Sequence, residues 1–168
     1  MNARPTFEPL TVERLKEVLG YDADTGEFRW KLRLGGKATA GRIAGSVDRG
    51  GYRAIRIDRR LYLAHRLAWL YVYGAWPDKW LDHINRITDD NRIENLRLAE
   101  PWQNHANKTA YRTNTSGFKG VWWCAGKWMA QIQVQNRVIY LGRFADVAEA
   151  GAAYEAAAVK YLGDFVPR

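Results

Sequence analysis

The sequence has very little cysteine, with Cys124 as the single thiol among 168 residues. One thiol can form no intramolecular disulfide and cannot build a zinc site from several cysteines. Such usage is typical of a reducing compartment. The first 20 residues lack the apolar run of a signal peptide, and the longest mostly apolar stretch, residues 67–76, is too short to cross a bilayer. We therefore expect a cytoplasmic protein with no membrane partner.

Acidic residues are also scarce, with 18 Asp and Glu against 26 Lys and Arg and a pI near 9.7. A basic surplus of this size indicates a polyanionic partner, nucleic acid before a membrane surface. The charge is unevenly placed. Residues 29–66 contain eleven Lys or Arg and two Asp, whereas residues 67–107 contain four basic and six acidic residues. The first segment suits phosphate binding and the second suits a divalent cation.

The hydrophobic patterning of the first 110 residues predicts an α+β fold that is rich in strands before it turns helical. Gly20 and Gly74 each follow a helical pattern and are expected to end it. The segment from Asp89 to Asn91 is expected to be a turn. The predicted helices cover residues 11–19, 65–73 and 101–108, and the predicted strands cover 27–33, 42–47, 52–57, 61–64, 82–84 and 91–98.

Residues 108–116 form a polar segment that is expected to be a linker. The order of predicted strands and helices changes after it. Residues 120–124, 127–135 and 137–144 are predicted strands. Asp146, with Glu149 three residues on, forms a capping box for an Ala-rich helix that ends at Gly163. This change in the pattern of elements predicts two domains, residues 1–110 and residues 111–168.

One group of Asp, His and Asn residues has the side chains and spacing of a catalytic site. Asp82 and His83 are adjacent, Asn95 lies twelve residues after His83, and Asn104 lies nine residues after Asn95. Phosphodiester hydrolysis needs a base to deprotonate water, and a neutral His does this near pH 7. It also needs a cation to stabilise the developing charge, and Asp and Asn supply oxygen ligands for it. Asp82 and Asn104 are therefore candidate Mg²⁺ ligands, His83 the candidate base and Asn95 the residue that orients its ring.

The segments LDHIN, DDNRIENLR and QNHANK, with AHRLAW before them, resemble the signature of HNH endonucleases in its H-N-N version, which occurs in phage and intron homing endonucleases. The resemblance implies a ββα-metal fold with one divalent metal, Mg²⁺ or alternatively Mn²⁺. It assigns His83 as general base, Asp82 as carboxylate ligand, Asn95 as the central Asn, and Asn104 as the last ligand, with His105 as the alternative. Many HNH proteins hold structural zinc through Cys pairs. None is expected here, so the core should rely on the aromatic residues Trp69, Trp76, Trp80 and Trp102.

Residues 116–166 resemble an AP2 domain, and the segments that carry the resemblance are GFKGVW, KWMAQIQV and IYLGRF. The resemblance implies a three-stranded antiparallel sheet that lies in the DNA major groove and is braced by one helix. Alternation places Ala130, Ile132 and Val134 toward the helix and Gln131, Gln133 and Gln135 outward, with Trp128 and Phe144 in the core. Trp122, Gln131, Gln133 and Val138 stand where the family usually has Arg or Glu. The DNA contacts that we predict are Lys119, Trp122, Trp123, Lys127, Gln131, Gln133, Arg137 and Tyr140, together with Arg53, Arg56, Arg59 and Arg60 of the basic segment.

These features predict a metal-dependent DNA endonuclease, nicking or cutting both strands, acting on double-stranded DNA as a monomer or homodimer. A homing or phage-encoded enzyme in the host cytoplasm is the expectation from the resemblance. The alternative is a non-catalytic DNA-binding regulator with a decayed nuclease domain. A third class is an RNA-binding factor, for which the sequence has no RNP-like aromatic motif. His65 is expected to pack or to form a hydrogen bond where its helix leaves the sheet.

Overall fold

The computed structural model describes residues 10–36, 38–107, 113–135 and 137–166, without the side chains at 105 and 106. The chain divides into two compact units. Unit 1 consists of the chain up to His83 and of Ile87–Arg97. Unit 2 consists of Ile84–Arg86 and of the chain from Leu98 onward. The predicted domains, 1–110 and 111–168, stay a prediction, although the third helix of the chain belongs to unit 2. Most of the predicted linker lies outside the described residues.

Unit 1 combines two helices with several short antiparallel strands. Strands β1 and β2 form a hairpin, β3, β4 and β5 form a three-stranded sheet in that order, and β6 pairs with β7, within which unit 1 ends. The bounds are α1 Val12–Val18, β1 Leu19–Tyr21, β2 Phe28–Trp30, β3 Ser46–Val47, β4 Arg53–Ile57, β5 Arg60–Leu63, α2 Ala64–Tyr73, β6 Trp80–His83, a 3-10 helix Ile93–Asn95 and β7 Leu96–Ala99.

Local signals explain where most of these elements begin and end. Thr11 caps α1, since its side chain accepts a hydrogen bond from the backbone N–H of Arg14. Gly74 ends α2 in the left-handed conformation, as predicted. Gly20, however, does not cap α1. The helix ends one residue earlier, because Leu19 is extended and pairs with Trp30 across the first hairpin.

The core of unit 1 lies between the two helices and the strands. Leu15, Phe28, Ile55 and Leu67 are fully buried there. Trp76 packs against this core and stacks on Tyr62, with ring centroids 5.8 Å apart. The expectation for Trp80 is wrong, because its side chain is 60% exposed. Trp80 is the exposed first residue of β6, and the three residues after it are buried.

Unit 2 contains one three-stranded antiparallel sheet, ordered β10-β9-β8, and a long helix packed on one of its faces. Ala130 and Ile132 are buried against this helix, with Trp128, Val134 and Phe144 around them, as the alternation predicts. The Asp146 cap is confirmed by its bond to the N–H of Ala148 at 2.7 Å. The bounds are α3 Pro101–Asn107, β8 Val121–Cys124, β9 Lys127–Val134, β10 Arg137–Phe144, α4 Val147–Leu162 and a 3-10 helix Gly163–Phe165.

The mixed composition of helices and small sheets agrees with the α+β prediction at this level. The helix α3 packs within unit 2, where Trp102 contacts the core under the sheet. In the part of the chain that the structure describes, no helix is both long and apolar enough to cross a membrane.

Candidate active site

Strand β6 delivers two buried polar side chains in succession. Asp82 is 4% exposed and His83 is 5% exposed. The Asp82 carboxylate is held from β7, where Arg97 donates from Nε and Nη2 to Asp82 Oδ2 at 2.8 and 2.7 Å. A buried carboxylate requires such compensation, since desolvation disfavours its charge. Arg97 was not singled out from the sequence, although it ends the NLR segment that carried the resemblance.

The imidazole of His83 faces the side chain of Asn91. Asn91 Oδ1 lies 3.5 Å from His83 Nε2, at the outer limit of a hydrogen bond. Burial lowers the pKa of His83, and the contact with Asn91 and the charges of Asp82, Asp90 and Asp89 offset part of that shift. The ring is therefore neutral at pH 7, which is the form that accepts a proton.

Two aromatic groups surround the other sides of this imidazole. The ring of His65 meets His83 edge to face, with centroids 5.1 Å apart, and Tyr52 contacts both rings at 5.6 and 6.0 Å. Burial lowers the pKa of His65 to about 3, and the neighbouring His83 and Arg66 lower it further. His65 is thus a neutral packed residue, which confirms the expectation from the sequence.

The loop between β6 and β7 is tied down by ion pairs. Arg53 of β4 donates from Nε and Nη2 to the two carboxylate oxygens of Asp89, both at 2.8 Å. Arg92 grips Asp90 in the same way, at 2.8 and 2.7 Å. The predicted turn over Asp89 and Asp90 is confirmed. Each of the two carboxylates is held by an arginine, which fixes the conformation of the turn.

Of the four basic residues that we predict to contact DNA in this unit, Arg53 is half-buried in its pair with Asp89. The other three are exposed around the β4–β5 turn, where Asp58 and Arg59 adopt left-handed conformations. Their roles as DNA contacts stay predictions. A two-residue connection with positive φ joins β4 to β5, and this conformation matches the twist of the strands. The three exposed residues are Arg56, Arg59 and Arg60.

Asn95 lies at the end of the 3-10 helix, not within a strand as the sequence suggested. The predicted strand 91–98 begins only at Leu96, because residues 93–95 close a helical turn first. The Asn95 side chain is buried, and its Nδ2 donates to the backbone carbonyl of Asp90 at 2.8 Å. Asn95 therefore braces the loop that carries Asn91.

The structure brings Asp82, His83, Asn91 and Asn95 together within unit 1. Asn104 is half-buried in α3, which belongs to unit 2, and its backbone N–H donates to Glu100 at 3.1 Å. The side chain of His105, the alternative ligand, lies outside the described residues. The assignments of these two residues as metal ligands stay predictions.

The predicted DNA contacts lie on two different faces of the unit 2 sheet. Their faces follow from the strand register, because residues directly opposite each other on paired strands share a face. Tyr140 lies opposite Gln131, and Trp122 lies opposite Met129, on the face away from α4. Arg137 and Trp123 instead lie opposite Val134 and Trp128, which belong to the helix-packed side. The residues that share the open face are Trp122, Cys124, Lys127, Met129, Gln131, Gln133, Val138, Tyr140 and Arg143.

Residues 62–106 match the family model of the HNH endonucleases. We call these 45 residues, which are similar to the HNH endonucleases, the HNH segment. The chain is also similar to "Protein 3.8" of Escherichia phage T7, with 37% identity over 60 residues. That match covers 35% of this chain and half of the phage protein. No solved structure matches the chain at a significant level.

The HNH segment contains Asp82, His83, Asn95 and Asn104, the four residues on which the resemblance rested. It also contains Asn91, which the sequence placed only in a turn. Arg53 contacts Asp89 of this segment and Tyr52 contacts the ring of His83, and both come from the preceding part of the chain. The HNH segment ends before residue 116, so the AP2 resemblance stays a prediction.

Proposed function

We propose that this chain is a metal-dependent endonuclease of the HNH type that hydrolyses phosphodiester bonds in double-stranded DNA. The observation that carries the proposal is the adjacent pair Asp82 and His83, both buried, inside the segment that matches the HNH endonucleases. Similarity to a phage protein supports a phage-encoded enzyme, and a homing nuclease is the other kind that the resemblance implies.

His83 is proposed as the general base. Burial lowers its pKa, so at pH 7 the ring can take the proton of a water molecule as that water attacks phosphorus. His65 and Tyr52 contact the ring of His83 and restrict its rotation. The chain itself thus supplies an oriented proton acceptor.

The donor atoms of Asp82 and Asn104, the two ligands that the resemblance assigns, suit a hard divalent cation in kind. Asp82 offers a carboxylate, and Asn104 would add an amide oxygen as the second protein ligand. Among the described residues, no group of three or more His, Cys, Asp or Glu side chains could hold a metal ion. The proposed cation is Mg²⁺, or Mn²⁺ in its place, because Mg²⁺ keeps several waters and uses one or two carboxylates. Such a cation would stabilise the charge that develops on the phosphate and the leaving oxygen.

The open face of the β10-β9-β8 sheet is proposed to dock DNA in the manner of an AP2 domain. Lys127, Gln131, Gln133 and Tyr140 share this face, and amide side chains on it can bind base edges or phosphates. The exposed arginines of the β4–β5 turn would add phosphate contacts.

The decisive experiment incubates supercoiled plasmid with the full-length protein in Mg²⁺ or in EDTA. We expect Mg²⁺-dependent nicking by the wild type, and a loss of about 10²- to 10⁴-fold in rate for His83→Ala. Asp82→Asn removes the proposed carboxylate ligand and is expected to lower activity and to raise the Mg²⁺ concentration required.

Asp58→Asn is the matched control for Asp82→Asn, because Asp58 is also paired with an arginine but is exposed and is not part of the site. It should cleave like the wild type. Absence of metal-dependent cleavage by the folded wild type would refute the nuclease, and full activity in His83→Ala would refute the assignment of the base.

A further inference from the structure

Strand β4 places two of its arginines on opposite faces. Arg53 lies two residues before Ile55 and four before Ile57, and both isoleucines are buried. Side chains two apart in a strand share a face, so Arg53 continues this inward row. Arg56 belongs to the opposite, exposed row, where its Nη1 donates to the carbonyl of Arg59 at 3.1 Å. The two arginines therefore have different surroundings, although the sequence predicts the same contact with DNA for both.

An acidic partner occupies the guanidinium of Arg53. Its Nε and Nη2 donate to the two carboxylate oxygens of Asp89, both at 2.8 Å, and the two side chains are 20% and 35% exposed. A bidentate pair of this kind fixes both groups in one geometry. A DNA phosphate that used the same edge of the guanidinium would have to displace the carboxylate. Arg53 is thus engaged within the fold before any DNA binds.

Residues 88–92 of the β6–β7 loop also rest on two tight turns of the preceding chain. Gly51 has φ +82°, and a Cβ there would be 2.5 Å from Thr88 Oγ1. Gly26 has φ +73°, and a Cβ there would be 2.5 Å from the backbone nitrogen of Arg92. Both turns approach the loop too closely to carry a side chain at these positions. Both lie outside the HNH segment, so the preceding chain shapes this loop.

The same loop carries a side chain that contacts the site. Asn91 Oδ1 lies 3.5 Å from His83 Nε2, and the Asn91 carbonyl accepts a hydrogen bond from the Tyr21 hydroxyl at 2.8 Å. Tyr52, the residue before Arg53, contacts the His83 ring with centroids 6.0 Å apart. The chain at the start of β4 therefore touches the imidazole directly and holds the loop beside it through the ion pair. A shift of the loop would move Asn91 relative to His83.

We propose that Arg53 is a positioning residue and not a phosphate contact. Its ion pair with Asp89 holds residues 88–92 in the conformation that keeps Asn91 beside His83. The consequence for cleavage rests on the proposed function, whereas the ion pair and its effect on the loop do not. Stability and cleavage consequently report on these two parts separately.

The double variant Arg53→Gln/Asp89→Asn removes the pair without changing the net charge. In urea unfolding of the full-length protein without DNA, it should lose no more stability than the more destabilised single variant, because each single change already breaks the pair. Losses that add would show that the two side chains act independently and would overturn the proposal.

Binding to a short labelled DNA duplex in EDTA separates a positioning residue from a phosphate contact. The double variant should keep the wild-type dependence of binding on salt, whereas loss of a phosphate contact would weaken it by about one unit of slope. Arg56→Gln is the matched control, since Arg56 is exposed in the same strand, and it should show that decrease. A decrease in the double variant, or tighter binding in Asp89→Asn that the double variant loses, would identify Arg53 as a phosphate contact.

Cleavage of supercoiled plasmid in Mg²⁺, at a temperature where each variant is folded, gives the third readout. Arg53→Lys keeps the charge but has no fork for two carboxylate oxygens, so a phosphate contact would tolerate it and a bidentate pair would not. We expect Arg53→Lys, Arg53→Gln and the double variant each to lower kcat by about ten- to a hundredfold with little change in KM. Wild-type kcat in Arg53→Lys would overturn the proposal.

The failure of the proposed function would look different. A wild type that cuts no DNA, while the double variant shows the non-additive loss of stability, would refute the nuclease and leave Arg53 as the residue that holds the loop.

Discussion

At the scale of single residues, Asp82 and Arg97 form the ion pair on which the site depends most. Their side chains are 5% and 15% exposed, so loss of Arg97 would leave a buried carboxylate without its main compensation. We expect Arg97→Ala to lower the free energy of unfolding by about 3–5 kcal/mol, measured by urea denaturation.

The comparison for this variant is Arg14→Ala. Arg14 pairs with Asp58 at the surface, where the side chains are 35% and 52% exposed. An exposed pair contributes about 0–1 kcal/mol, so the control should barely move the midpoint. Equal losses in the two variants would contradict the role given to burial.

The buried imidazole of His65 makes the free energy of unfolding depend on pH. Its pKa is about 3 in the folded chain and near 6.5 when unfolded, because burial disfavours the charged ring. Between these values the unfolded chain binds the proton and the folded chain does not. Stability contributed by His65 is therefore complete above pH 6.5 and is lost as the pH falls toward 3, by up to about 1.4 kcal/mol per pH unit.

The variant His65→Phe keeps a ring but cannot bind a proton. Its free energy of unfolding should fall less steeply than that of the wild type between pH 6.5 and pH 4. Parallel curves for the two proteins would show that His65 is already protonated in the fold or is not buried.

At the scale of elements, the β1–β2 hairpin supports the loop that carries Asn91. Gly26→Ala would place a methyl group 2.5 Å from the Arg92 nitrogen in a left-handed conformation. Gly41 has a similar φ of +79° with nothing within 4 Å, so Gly41→Ala carries the backbone strain alone. We expect about 1–2 kcal/mol of destabilisation for Gly41→Ala and about 1–3 kcal/mol more for Gly26→Ala, both by thermal or urea unfolding.

The same pair of variants tests the link to the site. Gly26→Ala should also lower plasmid cleavage, since the methyl group displaces the backbone of Asn91, whereas Gly41→Ala should cleave normally. Cleavage at the wild-type rate by a destabilised Gly26→Ala would show that the hairpin supports the fold but not the base.

At the scale of the whole molecule, unit 1 contains Asp82 and His83, and unit 2 contains the sheet that is proposed to dock DNA. A truncation after residue 110 would be a poor test of docking, because Trp102 of α3 packs against the core of unit 2 and would lose its partners. Single charge changes leave both cores intact and are the better probe.

Lys127→Gln removes a charge from the open face of the unit 2 sheet, and Lys160→Gln removes one from α4. If DNA lies on the open face, the salt dependence of binding should weaken by about one unit of slope for Lys127→Gln and stay unchanged for Lys160→Gln. Binding titrations at several salt concentrations measure this. A larger effect of Lys160 would move the docking surface to the helix.

Much of the fold and part of the site could be predicted from the sequence, because those features depend on neighbouring residues. The Asp146 cap, the Gly74 helix end and the Asp58–Arg59 turn are local choices of backbone conformation. The adjacency of Asp82 and His83 is likewise covalent, and the alternation of β9 follows from the period of a strand.

Only the tertiary structure decided which side chains meet. Asn91 and Arg97 lie eight and fifteen residues from the groups they contact, and Tyr21 reaches Asn91 across seventy residues. Such contacts depend on strand register and on how each loop closes, and a shift of one residue would turn every side chain of β6 to the opposite face. The sequence by itself determined the chemistry available at His83, while the packing of the loop against the first hairpin decided which asparagine faces its ring.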